Sequence, residues 1–307
     1  MKFISETVIF RPLRLLINKI CMNRFSGWLF LFLCAPALQA QQARSSLLWE
    51  VSGNGLQQPS YLFGTFHLLC KGDFTVTPEL ENKLRASKQF YGELKMDDPG
   101  LLQASMMSKL MMQGHTLQSL LGETDYINVS QKFQSITGMP ITLFNTFKPF
   151  LSLSMLVQKG ADCPDKVQPE TEFVKVAKRL QLPVLGLETV EDQLNAIDKE
   201  PLDSQILSLK KTILNFDSVK LVMTKMMAVY QLRDIDSLQQ FINSSGGNEM
   251  FTTEMINKRN ANWIPVMQSA MKSQPSFFAV GAGHLGGTAG LISLLRKEGY
   301  RVNPLKF

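Results

Sequence analysis

Two apolar stretches near opposite ends of the chain break off into the same short pattern of glycine, two residues and histidine: Leu62-Phe-Gly64-Thr-Phe-His67 and Ala279-Val-Gly281-Ala-Gly-His284. Each reads as a buried strand ending at a glycine. With a mostly helical middle between them, strands at both ends bury their faces best in one shared sheet. The fold class expected is therefore α/β (mixed α+β): a central mixed β-sheet built from strands of both termini, flanked by helices, with a large helical insertion. Residues 41–307 are expected to form that single domain.

Local signals fill in the rest. Leu47-Leu-Trp-Glu-Val51 and Ser60-Tyr-Leu-Phe-Gly64, separated by Gly53-Asn-Gly55 and Pro59, read as a hairpin. Pro78 opens a helix to about Ser87, with Glu79 and Glu81 in its first turn, where the helix dipole favours them. Residues 89–96 alternate, with Tyr91, Glu93 and Lys95 on the polar face of a half-buried strand. Residues 101–180 are mostly helical in spacing, broken at Gly114, Gly122, Gly138-Met-Pro140 and the 160–169 loop. A strand over 182–188 precedes a helix over 190–198, and helical spacing continues over 203–273, interrupted at Ser244-Ser-Gly-Gly247. A strand over 277–280, a glycine-rich turn, a helix over 288–299 and a strand near 301–305 close the chain.

The first forty residues read as an address. A basic start, the apolar run Trp28-Leu-Phe-Leu-Phe-Leu-Cys-Ala-Pro-Ala-Leu-Gln39 and the small-residue end at Ala40 describe a secretory signal peptide over 1–40, with translation starting at Met22. A lipoprotein anchored on Cys34 is the less favoured alternative, because Leu31-Phe-Leu33 is bulky where a lipid signal wants small residues. No later run reaches 18 apolar residues, so no stable membrane span is expected in the mature chain. Export places it in the periplasm or outside the cell. Removing the leader leaves Cys70 and Cys163, which an oxidising compartment would join as a disulfide; metal ligation by Cys70 is the weaker alternative. Residues 41–307 carry 27 basic against 25 acidic side chains with no basic cluster, which argues against a nucleic-acid partner.

Chemistry concentrates at the two Gly-x-x-His turns. In open α/β sheets ligands sit beyond the carboxyl ends of the strands, and imidazoles delivered there from neighbouring strands can share a metal. A catalytic metal takes about three protein ligands and leaves one position for water. Glu93 and Glu188 each close a strand; either could bind the metal while the other takes the proton from bound water, and spacing does not choose between them. Gly281-Ala-Gly-His-Leu-Gly286 also matches GxGxxG, but no acid-ended strand follows, which rejects a dinucleotide site. Gly281 and Gly283 could instead leave N–H groups open to a substrate anion or oxyanion. The methionines at helical spacing read as core, His115 as an exposed loop residue, and Lys210-Lys211 and Arg296-Lys297 as solvated faces.

Tyr61-Leu-Phe-Gly-Thr-Phe-His67, Tyr91-Gly-Glu93-Leu, Gly186-Leu-Glu-Thr-Val-Glu-Asp-Gln193, Arg259-Asn-Ala-Asn-Trp263 and Phe278-Ala-Val-Gly-Ala-Gly-His284-Leu run in order through the mature chain. Together they resemble the TraB/GumN family, related to the Tiki metalloproteases and to the wider erythromycin-esterase/haem-binding-lipoprotein (ChaN-like) superfamily. The resemblance implies a mixed α/β core and a metal-dependent hydrolase site using His67 and His284, with Glu93 as the matching acid. Arg259 and Asn260 match the family's polar pair. The position before them, often acidic in the family, is Lys258 here.

These readings converge on an exported metal-dependent hydrolase. A divalent ion (Mn, Co or Zn) held by His67, His284 and Glu93 would activate water, Glu188 or Glu93 would manage the proton, and Arg259 or Asn260 would steady the oxyanion. The resemblance points to a peptide substrate; a small ester would use the same parts. The rivals are an exported haem- or metal-binding protein without turnover, and a structural or regulatory protein with a decayed site.

Overall fold

The computed structural model describes residues 45–96, 104–245 and 249–307. The expectations for residues 1–40, and the break at Gly246-Gly247, lie outside them. The strands are β1 (Leu48–Ser52), β2 (Ser60–Thr65), β3 (Leu69–Cys70), β4 (Gln89–Gly92), β5 (Lys166–Val167), β6 (Val184–Gly186), β7 (Ser276–Gly281) and β8 (Arg301–Leu305). Six of them form one sheet in the order β6-β4-β7-β2-β1-β8, so both chain ends contribute, as the paired motifs required. β6, β4, β7 and β2 are mutually parallel. β1 runs antiparallel to β2 and to β8. The β1–β2 hairpin turns through Gly53, Asn54 and Gly55, all at positive φ, which explains the two glycines there.

Parallel pairing accounts for the unbroken burial of β2, whose six residues are all buried, and of β7, where five of six are. Two expected strands are shorter than their sequence pattern. The strand expected over 89–96 ends at Gly92: a Cβ there would lie 3.0 Å from the Leu94 carbonyl, because the chain folds back at once. The Glu93 carbonyl then accepts the N–H groups of both Leu187 and Glu188, which also ends β6 at Gly186 instead of 188. The last helix spans Leu291–Lys297 and not 288–299. The two-residue strands β3 and β5, which pair with each other, carry no recognisable alternation.

The helices that carry the site are α1 (Pro169–Arg179) and α2 (Arg259–Ser273). α1 lays Phe173, Val174 and Ala177 on the sheet. Phe173 meets Phe63 edge-on at 5.0 Å and packs on Phe277 at 5.3 Å, which fixes the start of α1 near the end of β2. On α2 the buried stripe runs Arg259, Asn260, Trp263, Ile264, Met267, Ala270 and Met271, so the polar pair continues the apolar face and points inward with it. The helical insertion has its own apolar cluster, including Leu117, Val129, Phe133, Leu156, Leu209 and Ile213. Met112 and Met227 are buried, whereas Met107 and Met111 are exposed. His115 is exposed as expected. Lys210 pairs with Asp125 instead of standing free on its helix face.

Cys70 and Cys163 form the expected disulfide, with Cα atoms 5.8 Å apart. Among the described residues no helix is long and apolar enough to cross a membrane.

Candidate metal-dependent active site

The four parallel strands place their exit loops along one edge of the sheet. In spatial order β6, β4, β7 and β2 are followed by Glu188, Glu93, His284 and His67. Adjacency of β7 and β2, in register Gly64↔Val280 and Thr65↔Gly281, sets the two Gly-x-x-His turns side by side. Neither Gly64 nor Gly281 has positive φ; each is demanded by crowding. A Cβ on Gly64 would lie 2.7 Å from Leu285 Cδ1 and 3.0 Å from Ala282 Cβ, where the second turn crosses the first. A Cβ on Gly281 would lie 3.2 Å from Glu93 Oε1, 3.6 Å from His67 Nε2 and 3.6 Å from His284 Cδ2. Both rings and the carboxylate therefore surround one point, and the two ring atoms are no further apart than twice 3.6 Å.

Arg259 organises the buried side of the site. Its Nε donates to both oxygens of Glu188 at 3.1 and 3.0 Å, and Nη2 donates to Glu188 Oε1 and to Glu93 Oε2, each at 2.6 Å. Nη1 donates to the Met255 carbonyl at 2.8 Å and lies 3.3 Å from His284 Nε2. That carbonyl belongs to a π-helical segment, Thr252–Lys258, which closes with a tighter 3₁₀-type bond from the Arg259 N–H to the Ile256 carbonyl. Trp263 Nε1 donates to Glu188 Oε2 at 3.0 Å, and its ring lies 4.5 Å from that of His284. Lys258 pairs with Glu254.

Asn260 donates from Nδ2 to the carbonyls of His284 and Ala289, so its Oδ1 is the acceptor 2.7 Å from His284 Nδ1. That hydrogen bond puts the proton on Nδ1, so Nε2 carries the lone pair; it accepts from Arg259 Nη1 and lies 3.8 Å from Glu93 Oε1. Burial, with the charges of Arg259 and His67, lowers the His284 pKa to about 4 against the pull of Glu93, so the ring is neutral at pH 7. Burial also opposes ionisation of Glu93, but His284, Arg259, His67 and the Gly281 N–H outweigh it and hold its carboxyl down to about 2. Burial pushes the Glu188 carboxyl up, against the bonds from Arg259 and Trp263.

Glu170 was not singled out by sequence spacing. It lies in the first turn of α1 and accepts His67 Nδ1 at 2.8 Å and Thr65 Oγ1 at 2.6 Å. The Glu170 hydrogen bond outweighs burial and raises the His67 pKa to about 9. Without a cation His67 is therefore protonated at neutral pH, and its Nε2 becomes a ligand only when that proton leaves. An acid beside a proline at a helix start looks like an ordinary dipole partner in sequence, and only the demand of a ligating histidine for a second acceptor could have pointed to it. The expectation that the Gly281 N–H stays open to a substrate anion is corrected: it donates to Glu93 Oε1 at 2.8 Å.

Two imidazoles with Nδ1 already engaged, plus a carboxylate, fit a divalent cation in kind. With Arg259 lying among them, no three His, Cys, Asp or Glu side chains among the described residues stand close enough to enclose an ion as they are.

Comparison with known proteins gives the same neighbourhood. Residues 47–304 match the model of the TraB/PrgY/gumN family. Metalloprotease TIKI2 of Danio rerio is 25% identical over 318 residues, covering 86% of this chain and 61% of the relative. Metalloprotease TIKI1 of Homo sapiens is 23% identical over 321 residues, covering 86% and 63%. The metalloprotease TIKI homolog of Amphimedon queenslandica is 22% identical, covering 85% and 62%. The chain spans less than two thirds of these curated relatives. No solved structure matches it.

Proposed function

The chain belongs to the TraB/PrgY/gumN family, and from that premise we propose that it is an exported, metal-dependent hydrolase acting on peptide bonds, with small esters as the secondary substrate class. The observation that carries the reading is the convergence of His67, Glu93 and His284 on the ground in front of Gly281. Its relatives named as metalloproteases support it. The Cys70–Cys163 bridge supports the periplasmic or extracellular address that a leader over residues 1–40 would give.

His67 and His284 would hold the cation through Nε2, with Glu93 as the third ligand. Mn²⁺, Co²⁺ and Zn²⁺ all suit such a set. A divalent ion bound there lowers the pKa of water and polarises a carbonyl. Glu93 Oε1 faces the His284 ring, and a carboxyl held down to about 2 suits a ligand better than a base for the water proton. Glu188, tied to Arg259 and Trp263, acts by holding the arginine in place. Arg259 Nη1 gives one N–H to the Met255 carbonyl and the other to His284 Nε2; a cation on that nitrogen would free the second for a substrate oxyanion. Asn260 orients His284 and does not touch substrate. Gly281 gives its N–H to Glu93, so the oxyanion role read for the Gly281–Gly283 turn passes mainly to Arg259.

Peptide hydrolysis by the purified mature protein, with each of the three metals, tests this. Turnover lost in His67→Ala and in His284→Ala supports the reading. Metal uptake or a Soret band without hydrolysis of any peptide or ester overturns it in favour of a binding protein.

A further inference from the structure

The two histidines are held unequally. The His284 side chain is 5% exposed, lies against Trp263 and is bonded to Asn260. The His67 side chain is 71% exposed, so packing does little to orient it, and its ring depends on the hydrogen bond to Glu170. Glu170 is itself well fixed: 15% exposed, bonded to the buried Thr65 and carried on a helix that Phe173 pins to the sheet. Yet it arrives on a segment 103 residues away. What joins that segment to the His67 loop is local. β3 and β5 pair as Leu69↔Val167 and Cys70↔Lys166, Lys71 N–H donates to Asp165, and Cys163 is bonded to Cys70. A two-residue ladder is too short to hold two segments in register by itself; the covalent bridge beside it closes the clamp.

We propose that Glu170 is a positioning residue that presents His67 Nε2 to the cation, and that the Cys70–Cys163 bridge keeps Glu170 within reach of it. The inference rests on the metal reading above and adds a group and a link that the reading does not need. Carboxylate partners of ligating histidines fix the tautomer and raise ligand basicity, and their loss typically weakens metal binding about 10–100-fold. Opening the bridge removes the clamp and not the carboxylate, so its effect on affinity should run through Glu170.

The test is a double-mutant cycle on Zn²⁺ affinity. The metal-free mature protein is titrated with Zn²⁺ against a competing chelator as wild type, Glu170→Ala, Cys70→Ser/Cys163→Ser, and the combination, with circular dichroism to confirm folding. Glu170→Ala is expected to weaken Zn²⁺ about 10–100-fold. Loss of the bridge should weaken it in the wild-type background and add little once Glu170 is gone. Fully additive losses overturn the link. Should the bridge-free protein not fold, Glu170→Gln and Glu170→Ala decide alone, and wild-type affinity in both overturns the proposal. A wild type that takes up no Zn²⁺, Co²⁺ or Mn²⁺ overturns the metal reading as well, which separates that failure from this one.

Discussion

Replacing Arg259 by methionine tests whether the guanidinium is the keystone of the site. The side chain is 7% exposed and makes six hydrogen bonds, three to Glu188 and one each to Glu93, the Met255 carbonyl and His284 Nε2. Methionine fills much of the space but leaves two buried carboxylates without their cation. Breaking a buried ion pair from one side costs about 3–5 kcal/mol, and because two carboxylates share this arginine the upper end, about 5 kcal/mol, is expected at pH 7. At roughly 2 °C per kcal/mol for a domain of this size, Tm should fall by about 10 °C. The pH dependence has a definite sign. In the wild type Glu93 is held down to about 2, so its contribution is present above the unfolded value of 4.5 and is lost as pH falls towards 2. In the variant burial acts unopposed by the arginine and raises the folded carboxyl pKa values, so stability is lost as pH rises from about 4. The two stability curves should converge only near pH 2, with the gap already open at pH 4 and widest towards pH 7. Urea denaturation of both proteins at pH 4, 5.5 and 7 measures this. A penalty below about 1 kcal/mol at pH 7, or an equal penalty at pH 4, would falsify the argument.

Three further outcomes are expected. Gly281→Ala needs no change of backbone, since φ is −51°, but puts a methyl group 3.2 Å from Glu93 Oε1 and 3.6 Å from His67 Nε2; calorimetric Zn²⁺ titration should show a large loss of affinity in a protein that still folds. Reducing the Cys70–Cys163 bridge, which spans a sequence separation of 93, should cost about 4–5 kcal/mol in the chain-entropy account; denaturation with and without reductant measures it, and a loss under about 1 kcal/mol contradicts that account. The raised His67 pKa stabilises the metal-free fold below about 6.5, with the contribution vanishing as pH rises to about 9. Because the side chain is 71% exposed, the effect belongs in the range of about 0–1 kcal/mol; the gap between wild type and His67→Ala should close between pH 6.5 and 9.

Much of this arrangement was legible in the chain. The Gly53-Asn-Gly55 hairpin, the apolar runs ending at Gly64 and Gly281 and the helix start at Pro78 all follow from local steric preference and side-chain period, and these survive folding unchanged. The two histidines met because their strands are neighbours and parallel, which a shared sheet made natural but did not compel. Strand lengths were overestimated wherever alternation continued past a fold-back, as at Leu94, since period 2 does not register where the partner strand stops.

Local spacing determined which residues turn out of the sheet at its carboxyl edge. Tertiary structure decided which of them engage one another. Glu93 and Glu188 had equal claims by spacing, and it was Arg259 and Trp263 that together engaged both oxygens of Glu188, while Glu93 kept Oε1 facing His284. Glu170 carried no signal in its spacing, and only the packing of its helix on the sheet showed it beside His67. The physical reason is that backbone preferences act over a few residues, whereas a buried charge is satisfied by whatever the strand order places beside it.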